Sequence, residues 1–280
     1  MRTPEAVRRG ALALLLAAAA LVAAPAPASA TWSVLVVDAR TGRIVVASAT
    51  CVPQLAIERF PARGLMDIQA IVVPGVGVAA SQATLDRSRT NQMMIYRELE
   101  RGTAPERILQ LLRRDPSFES RQFGIVDRLG RSVSFTGEQN GRIALARTGR
   151  IAGSDLYYAI QGNILASRHV IDDAVEALAA APGTVEDRVM AAMEAADAAG
   201  GDRRCSCRTE PRTAAPCRTR HALVAYLLVS DPGDPKGRSY NDGRYRLYIE
   251  VNDQNIRPNE DANPVVTLRR RYDALADGEQ

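Results

Sequence analysis

The chain has 280 residues, 46% of them apolar and 24% charged, with a formal net charge of +4. This composition suits a globular protein with a full core and excludes a disordered or fibrous chain. Lys236 is the sole lysine, and no Arg/Lys block carries interleaved aromatics, which argues against a nucleic-acid partner.

Met1 to Gly10 carries Arg2, Arg8 and Arg9 against one acid, Glu5, and Ala11 to Ala24 is an unbroken run of Ala, Leu and Val. Ala28-Ser29-Ala30 follows as a small-x-small cleavage pattern. This layout predicts a secretory signal peptide over residues 1–30. The apolar run is shorter than the roughly 20 residues a membrane helix needs. Cleavage after Ala30 would free a chain starting at Thr31, periplasmic or secreted, with no stable membrane span. Loss of three arginines and one glutamate would bring its formal charge to +2. The Arg8-Arg9 pair leaves both the general and the twin-arginine export routes open.

Residues 31–280 read as one domain. "TWSVLVVDARTGRIVVASAT" predicts a hairpin that turns at Asp38 to Gly42, with strands apolar enough to be buried on both faces. "QAIVVPGVGVAASQA" is a further strand region, broken at Pro74-Gly75. Thr90 to Arg101 reads as an amphipathic helix with Met93, Met94, Tyr96 and Leu99 inward and Gly102 ending it. Thr103 is placed to cap a second helix, with Pro105 in its first turn and Glu106 at the capping-box position. Ile108, Leu109, Leu111 and Leu112 make its apolar face. "RQFGIVDRLGRSVSFTG" predicts a second hairpin turning at Arg128 to Gly130, and "LYYAIQGN" a strand ending in a polar loop. Residues 167–201 give two helices split at Pro182-Gly183. "HALVAYLLVS" and "RYRLYIEVN" are strands, and "NPVVTLRRRYDAL" a closing helix. Antiparallel hairpins alternating with helix pairs indicate a layered α+β fold with mostly antiparallel sheets.

The four cysteines are Cys51, Cys205, Cys207 and Cys217. Three of them fall in a loop at about 203–220. "CSCRTEPRTAAPCRTRH" spaces Cys and His in a way a zinc ion would accept. Cys-x-Cys is not the two-residue spacing of a zinc knuckle, and an exported chain meets an oxidising compartment, so disulfides are expected and no metal. One bridge within 205–217 would staple the loop, leaving Cys51 to the remaining cysteine; the pairing stays open.

With these landmarks, the chain resembles a bacterial family called domain of unknown function 1028. The stretches that carry the likeness are "TWSVLVVDARTGRIVVASA", "GVGVAASQA", "RQFGIVDRLGRSVSFTG", "YYAIQGNILA", "AAMEAADAAGGDRR" and "ALVAYLLV", in the family's order. The Cys loop and an extra loop near the end are departures. The resemblance implies a four-layer αββα sandwich like that of N-terminal-nucleophile (Ntn) hydrolases. It implies a chemical suspicion and no substrate.

In that chemistry the first residue supplies both nucleophile and base. The resemblance therefore nominates Thr31, whose hydroxyl would attack an amide carbonyl while its freed α-amine takes the proton. A plain strand-starting threonine is the competing reading. Asn163 is the expected oxyanion donor and Asp202, after Gly200-Gly201, an orienter of the amine. Ser48, Ser81, Gln82 and Gln161 are expected to contact substrate. His169 and His221 are the histidines, and no local motif makes a Ser-His-Asp triad. The helper lysine of some Ntn enzymes has no counterpart; Arg43 or Arg59 would be its electrostatic substitutes. The expected ligand is a small-molecule or peptide-like amide, with no cofactor, and a homodimer is compatible with the sequence. The alternative is a noncatalytic cell-envelope module that binds a ligand on the same fold.

Overall fold

The structure is a computed structural model that describes residues 31–60 and 62–278, so the expected signal segment lies outside the described residues. Two antiparallel sheets stack face to face. The larger runs in the order β10-β9-β2-β1-β8-β7, the smaller β3-β4-β5-β6. Their strands are β1 Thr31–Asp38, β2 Ile44–Thr50, β3 Ala70–Val73, β4 Gly77–Ala83, β5 Arg121–Asp127, β6 Ser132–Thr136, β7 Leu145–Arg150, β8 Leu156–Asn163, β9 Val224–Ser230 and β10 Leu247–Asn252.

The expected first hairpin forms as β1 and β2. Asp38 holds its turn by accepting from the backbone N–H of Arg40 and Thr41. Every residue of both strands is buried, because alternate side chains enter two different cores. Trp32, Val34 and Val36 face the helices α5 His169–Ala180 and α6 Val185–Ala198, joined on that layer by α7 Pro264–Gly278. Leu35 and Val37 face the second sheet. The far side of that sheet packs Ile71, Ala79, Phe123 and Ile125 against helices α3 Thr90–Glu100 and α4 Pro105–Leu112. The layers are therefore helix, sheet, sheet, helix: an α+β sandwich, as expected.

Local chemistry explains the helix starts. Thr184 and Asp187 form a reciprocal capping box that begins α6 directly after Pro182-Gly183. In α4 the expected cap is not made. Ala104 occupies the N-cap position without a side-chain bond, and Thr103 Oγ1 instead donates to Glu98 Oε2 at 2.7 Å. On α3 the fully buried face is Ile95, Tyr96 and Leu99, while Met93 and Met94 are half-buried. Two five-residue helices, α1 Gln54–Glu58 and α2 Leu65–Gln69, were not foreseen, nor was β7. The short helices put Ile57, Leu65, Met66 and Ile68 over one end of the inter-sheet core.

The cysteines form two disulfides, Cys51–Cys205 and Cys207–Cys217. The second staples the Cys loop; the first ties that loop to the residue after β2. All four cysteine sulfurs are thereby bonded, including the three thiolates that a zinc ion in the Cys loop would need. Among the described residues, no helix is long and apolar enough to cross a membrane.

Candidate functional site

Thr31 opens the central strand β1 and is paired on both sides, with Thr50 of β2 and Asn163 of β8. It shares the parity of Leu35 and Val37, so its side chain faces the second sheet. The residue is 2% exposed. Each of its polar groups is held. Its backbone nitrogen donates to Asn163 Oδ1 at 3.2 Å, its hydroxyl to Thr50 Oγ1 at 3.3 Å, and its carbonyl accepts from Gln82 Nε2 at 3.1 Å.

Gln82 reaches Thr31 from the other sheet. Its four amide hydrogen-bonding positions are all used: Oε1 accepts from Ser33 Oγ (2.8 Å) and Gln69 Nε2 (2.6 Å), while Nε2 donates to Thr31 O (3.1 Å) and Gln122 Oε1 (2.8 Å). Gln122 Nε2 continues the chain to Gly162 O at 3.0 Å and Thr136 Oγ1 at 2.9 Å. Tyr226 closes the other end, donating to Gln69 Oε1 at 3.2 Å. Burial pushes the Tyr226 phenol far above its ordinary pKa, so it stays a neutral donor. A satisfied buried amide network of this kind fixes geometry, because any displacement leaves several polar groups unpaired at once.

Backbone strain sits beside the same contacts. Ala83 (φ +73°) and Ile164 (φ +52°) hold left-handed conformations immediately after Gln82 and Asn163. For a β-branched residue this is an outlier costing about 1–3 kcal/mol, and such strain gathers at functional sites. Gly162 is needed here for a different reason: a Cβ would lie 2.8 Å from Leu165 Cδ2 and 3.1 Å from Thr31 O. The glycine lets the two strand ends close on each other.

The remaining expected site residues lie at graded distances. Ser48 shares the inter-sheet face but its hydroxyl donates to Trp32 O at 2.6 Å, and its register partner is Ser33. Ser81 lines the same cleft as Thr31 and Gln82, on one wall. Gln161, two residues before Asn163, is buried over Gly124, and neither atom of its amide has a hydrogen-bond partner among the described residues. Asp202 is fully buried, accepts from Cys51 N at 2.9 Å and pairs with Arg204 at 2.7 Å. It thus grips the residue after Thr50. Gly201 lets this segment lie against Trp32, where a Cβ would stand 2.7 Å from the indole ring.

The other candidates are elsewhere. Arg43 sits at the opposite end of the β1–β2 ladder, bound to Asp231 and Glu186; the Asp231 hydrogen bond raises its pKa. Lys236 pairs with Glu100 on the surface, and His169 with Asp173. His221 binds Asp197 at 3.2 Å, and this bond raises the imidazole pKa. Sequence reasoning missed Thr50, Gln69 and Gln122. Thr50 was within reach of it: counting outward from the Asp38–Gly42 turn pairs residue 50 with residue 31.

The cleft in front of Thr31 is small, with about 10 Å³ of free space, room for roughly one water molecule. One end presents the Thr31 and Thr50 hydroxyls with the Gln69 and Gln82 amides. The arrangement offers a hydroxyl, a nitrogen on the same residue, and a side-chain amide beside that nitrogen, which are the parts that acyl transfer requires.

Among solved structures, protein SPO2555 from Silicibacter pomeroyi, a DUF1028 protein, matches with a TM-score of 0.62 over 89% of this chain and 90% of that one, at 23% identity. That likeness shows a shared fold. No curated protein matches the chain. The model of DUF1028, a family of unknown function, matches residues 31–216, so its match begins at Thr31 and spans well over half the sequence. The chain belongs to the DUF1028 family.

Proposed function

We propose that this protein is an exported Ntn-type amidohydrolase whose nucleophile is Thr31, released by removal of residues 1–30. The observation that carries the reading is the hold on Thr31: nitrogen, hydroxyl and carbonyl each meet a dedicated partner at the head of a cleft. Two disulfides fit an oxidising compartment.

While residue 30 is attached, the Thr31 nitrogen is an amide and is no base. Once free, its ordinary pKa of about 7.7–8.0 suits it to accept a proton near neutrality. Thr31 Oγ attacks the substrate carbonyl and passes its proton to the α-amine. The amine delivers that proton to the departing nitrogen as the C–N bond breaks, leaving an ester on Thr31. A water molecule, deprotonated by the same amine, cleaves the ester and restores the hydroxyl. Asn163 orients the amine through Oδ1 and its Nδ2 is the oxyanion donor. Gln82 fixes the Thr31 carbonyl, and Thr50 the hydroxyl rotamer. Asp202 acts at one remove, positioning Thr50 through Cys51.

The test is Thr31→Ala in protein whose N-terminus has been sequenced and shown to start at residue 31. Amide turnover should disappear, and turnover at the wild-type rate would overturn the proposal. Saturable ligand binding that survives Thr31→Ala, with no turnover in the wild type, would favour the binding-module alternative.

A further inference from the structure

The Cys loop between α6 and β9 is set apart by its charge. Residues 203–220 hold six arginines and one glutamate, a formal +5. The other residues from 31 onward hold 27 arginines and lysines against 30 acids, a formal −3. The positive charge is therefore a property of this loop and not of the surface in general. The loop is also held in shape. Cys207–Cys217 closes it and Cys51–Cys205 ties it to the sandwich. From inside, the buried Arg220 guanidinium donates to the carbonyls of Ser206 at 3.2 Å, Pro211 at 3.0 Å and Thr209. Arg203, Arg204, Arg208, Arg212 and Arg218 are exposed. Arg204 pairs with Asp202 and Arg212 with Glu210, and Asp253 faces Arg220. Arg203, Arg208 and Arg218 pair with no acid among the described residues. Arg208 and Arg218 each follow one half of a bridge whose Cα atoms are 5.8 Å apart. Their own Cα atoms thus lie at most about 13 Å from each other, close enough to meet one surface together.

We infer that this loop is a docking surface for the anionic phospholipid headgroups of a membrane face, which it meets by adsorption and without insertion. Its composition selects that partner. Residues 203–220 contain no aromatic residue and no Val, Ile, Leu or Met. A protein partner is gripped mainly by buried aromatic or aliphatic anchors, and single-stranded nucleic acid by rings on which its bases stack. The loop has neither. It offers guanidinium groups, which pair with phosphate oxygens through parallel N–H bonds. An anionic bilayer presents many phosphates in one plane, requires no pocket, and attracts each basic side chain that comes near it. Nothing in the loop would wedge into the hydrocarbon, and no described helix is long and apolar enough to cross it. The loop also lies at the Thr31 end of the sandwich, since Arg203 N donates to the carbonyl of Ile164, the residue after Asn163. Adsorption would turn that end toward the bilayer. This docking does not depend on Thr31 acting as a nucleophile.

The experiment sediments residues 31–280, with both disulfides intact, together with phospholipid vesicles at about 0.1 M salt. Vesicles holding about 30% phosphatidylglycerol should bind the protein about 100-fold more tightly than vesicles of phosphatidylcholine alone, at about fivefold for each unpaired arginine. Raising the salt to about 0.5 M should remove most of that difference. The triple variant Arg203→Gln, Arg208→Gln, Arg218→Gln should bind both vesicles with nearly equal weakness. The triple variant Arg97→Gln, Arg107→Gln, Arg142→Gln removes the same charge from exposed positions outside the loop and should bind like the wild type. Equal binding of the wild type to the two kinds of vesicle, or equal losses in the two triple variants, would overturn the loop as a docking surface. Tighter binding to duplex DNA or to poly-glutamate than to the anionic vesicles, at the same salt, would overturn the lipid as its partner.

Discussion

Replacing Gln82 by Leu should damage the fold more than its modest change in volume suggests. The substitution removes four hydrogen bonds from a residue only 2% exposed. Ser33 can rotate its hydroxyl toward another acceptor. Gln69 Nε2, Gln122 Oε1 and the Thr31 carbonyl have no comparable freedom. Each stranded buried group costs about 1–3 kcal/mol, and the apolar leucine returns part of this, so the net loss is about 4 kcal/mol. For a chain of this length that lowers the melting midpoint by roughly 10 °C. Gln161→Leu is the internal control. It removes a buried amide of the same type from the opposing sheet of the same inter-sheet layer, but one without a hydrogen-bond partner among the described residues. It should change stability by no more than about 1 kcal/mol, in either direction. The assay is thermal and urea unfolding of both variants with the disulfides intact. A midpoint shift under about 2 °C for Gln82→Leu, or equal losses for the two variants, would refute the claim that hydrogen-bond satisfaction decides the cost.

The two disulfides should contribute unequally. Cys51–Cys205 closes a separation of 154 residues and Cys207–Cys217 one of 10, so chain entropy gives about 5 and about 3 kcal/mol; paired Cys→Ser variants compared by urea melts should show the first costing more. His221→Asn should destabilise more at pH 6 than at pH 9. Asp197 raises the folded imidazole pKa above its ordinary value of 6.5, so the stabilisation is complete below that value and lost as pH rises through the folded pKa; an unfolding difference that grows with pH would contradict this. Ile164→Asn should be neutral or stabilise by up to about 1 kcal/mol, because Asn tolerates the left-handed backbone at φ +52°. A loss above about 2 kcal/mol in thermal unfolding would mean that side-chain packing at residue 164 outweighs the strain.

Much of the layered fold is legible in the residues themselves. The hairpins at 38–42 and 128–130 and the helix break at Pro182-Gly183 are local turn chemistry, and local chemistry survives folding. The short α1 and α2 escape notice because five residues cannot display a 3.6-residue period. Strand β7, "LARTGR", escapes because it is a half-exposed edge strand without apolar alternation. The site divides along the same line. Thr31 and Asn163 announce themselves at strand ends, where motifs are read. Gln69, Gln82 and Gln122 come from three segments, and only the stacking of one sheet on the other makes them a chain. The disulfide partners are undetermined for the same reason, since nothing local to Cys205 or Cys207 distinguishes which of them lies beside Cys51.

The frame around Thr31 is made of amides and hydroxyls: Asn163, Gln82, Gln69, Gln122, Ser33 and Thr50. None of these gains or loses a proton in the range where proteins work. Tyr226, the ionisable member, is driven out of that range by burial. The groups that bond Thr31 directly therefore carry no charge between mild acid and mild base; the nearest ionic pair, Asp202 with Arg204, acts one step further out. Under the proposed processing after Ala30, a freed Thr31 nitrogen would change charge without loosening the amide and hydroxyl groups that hold it.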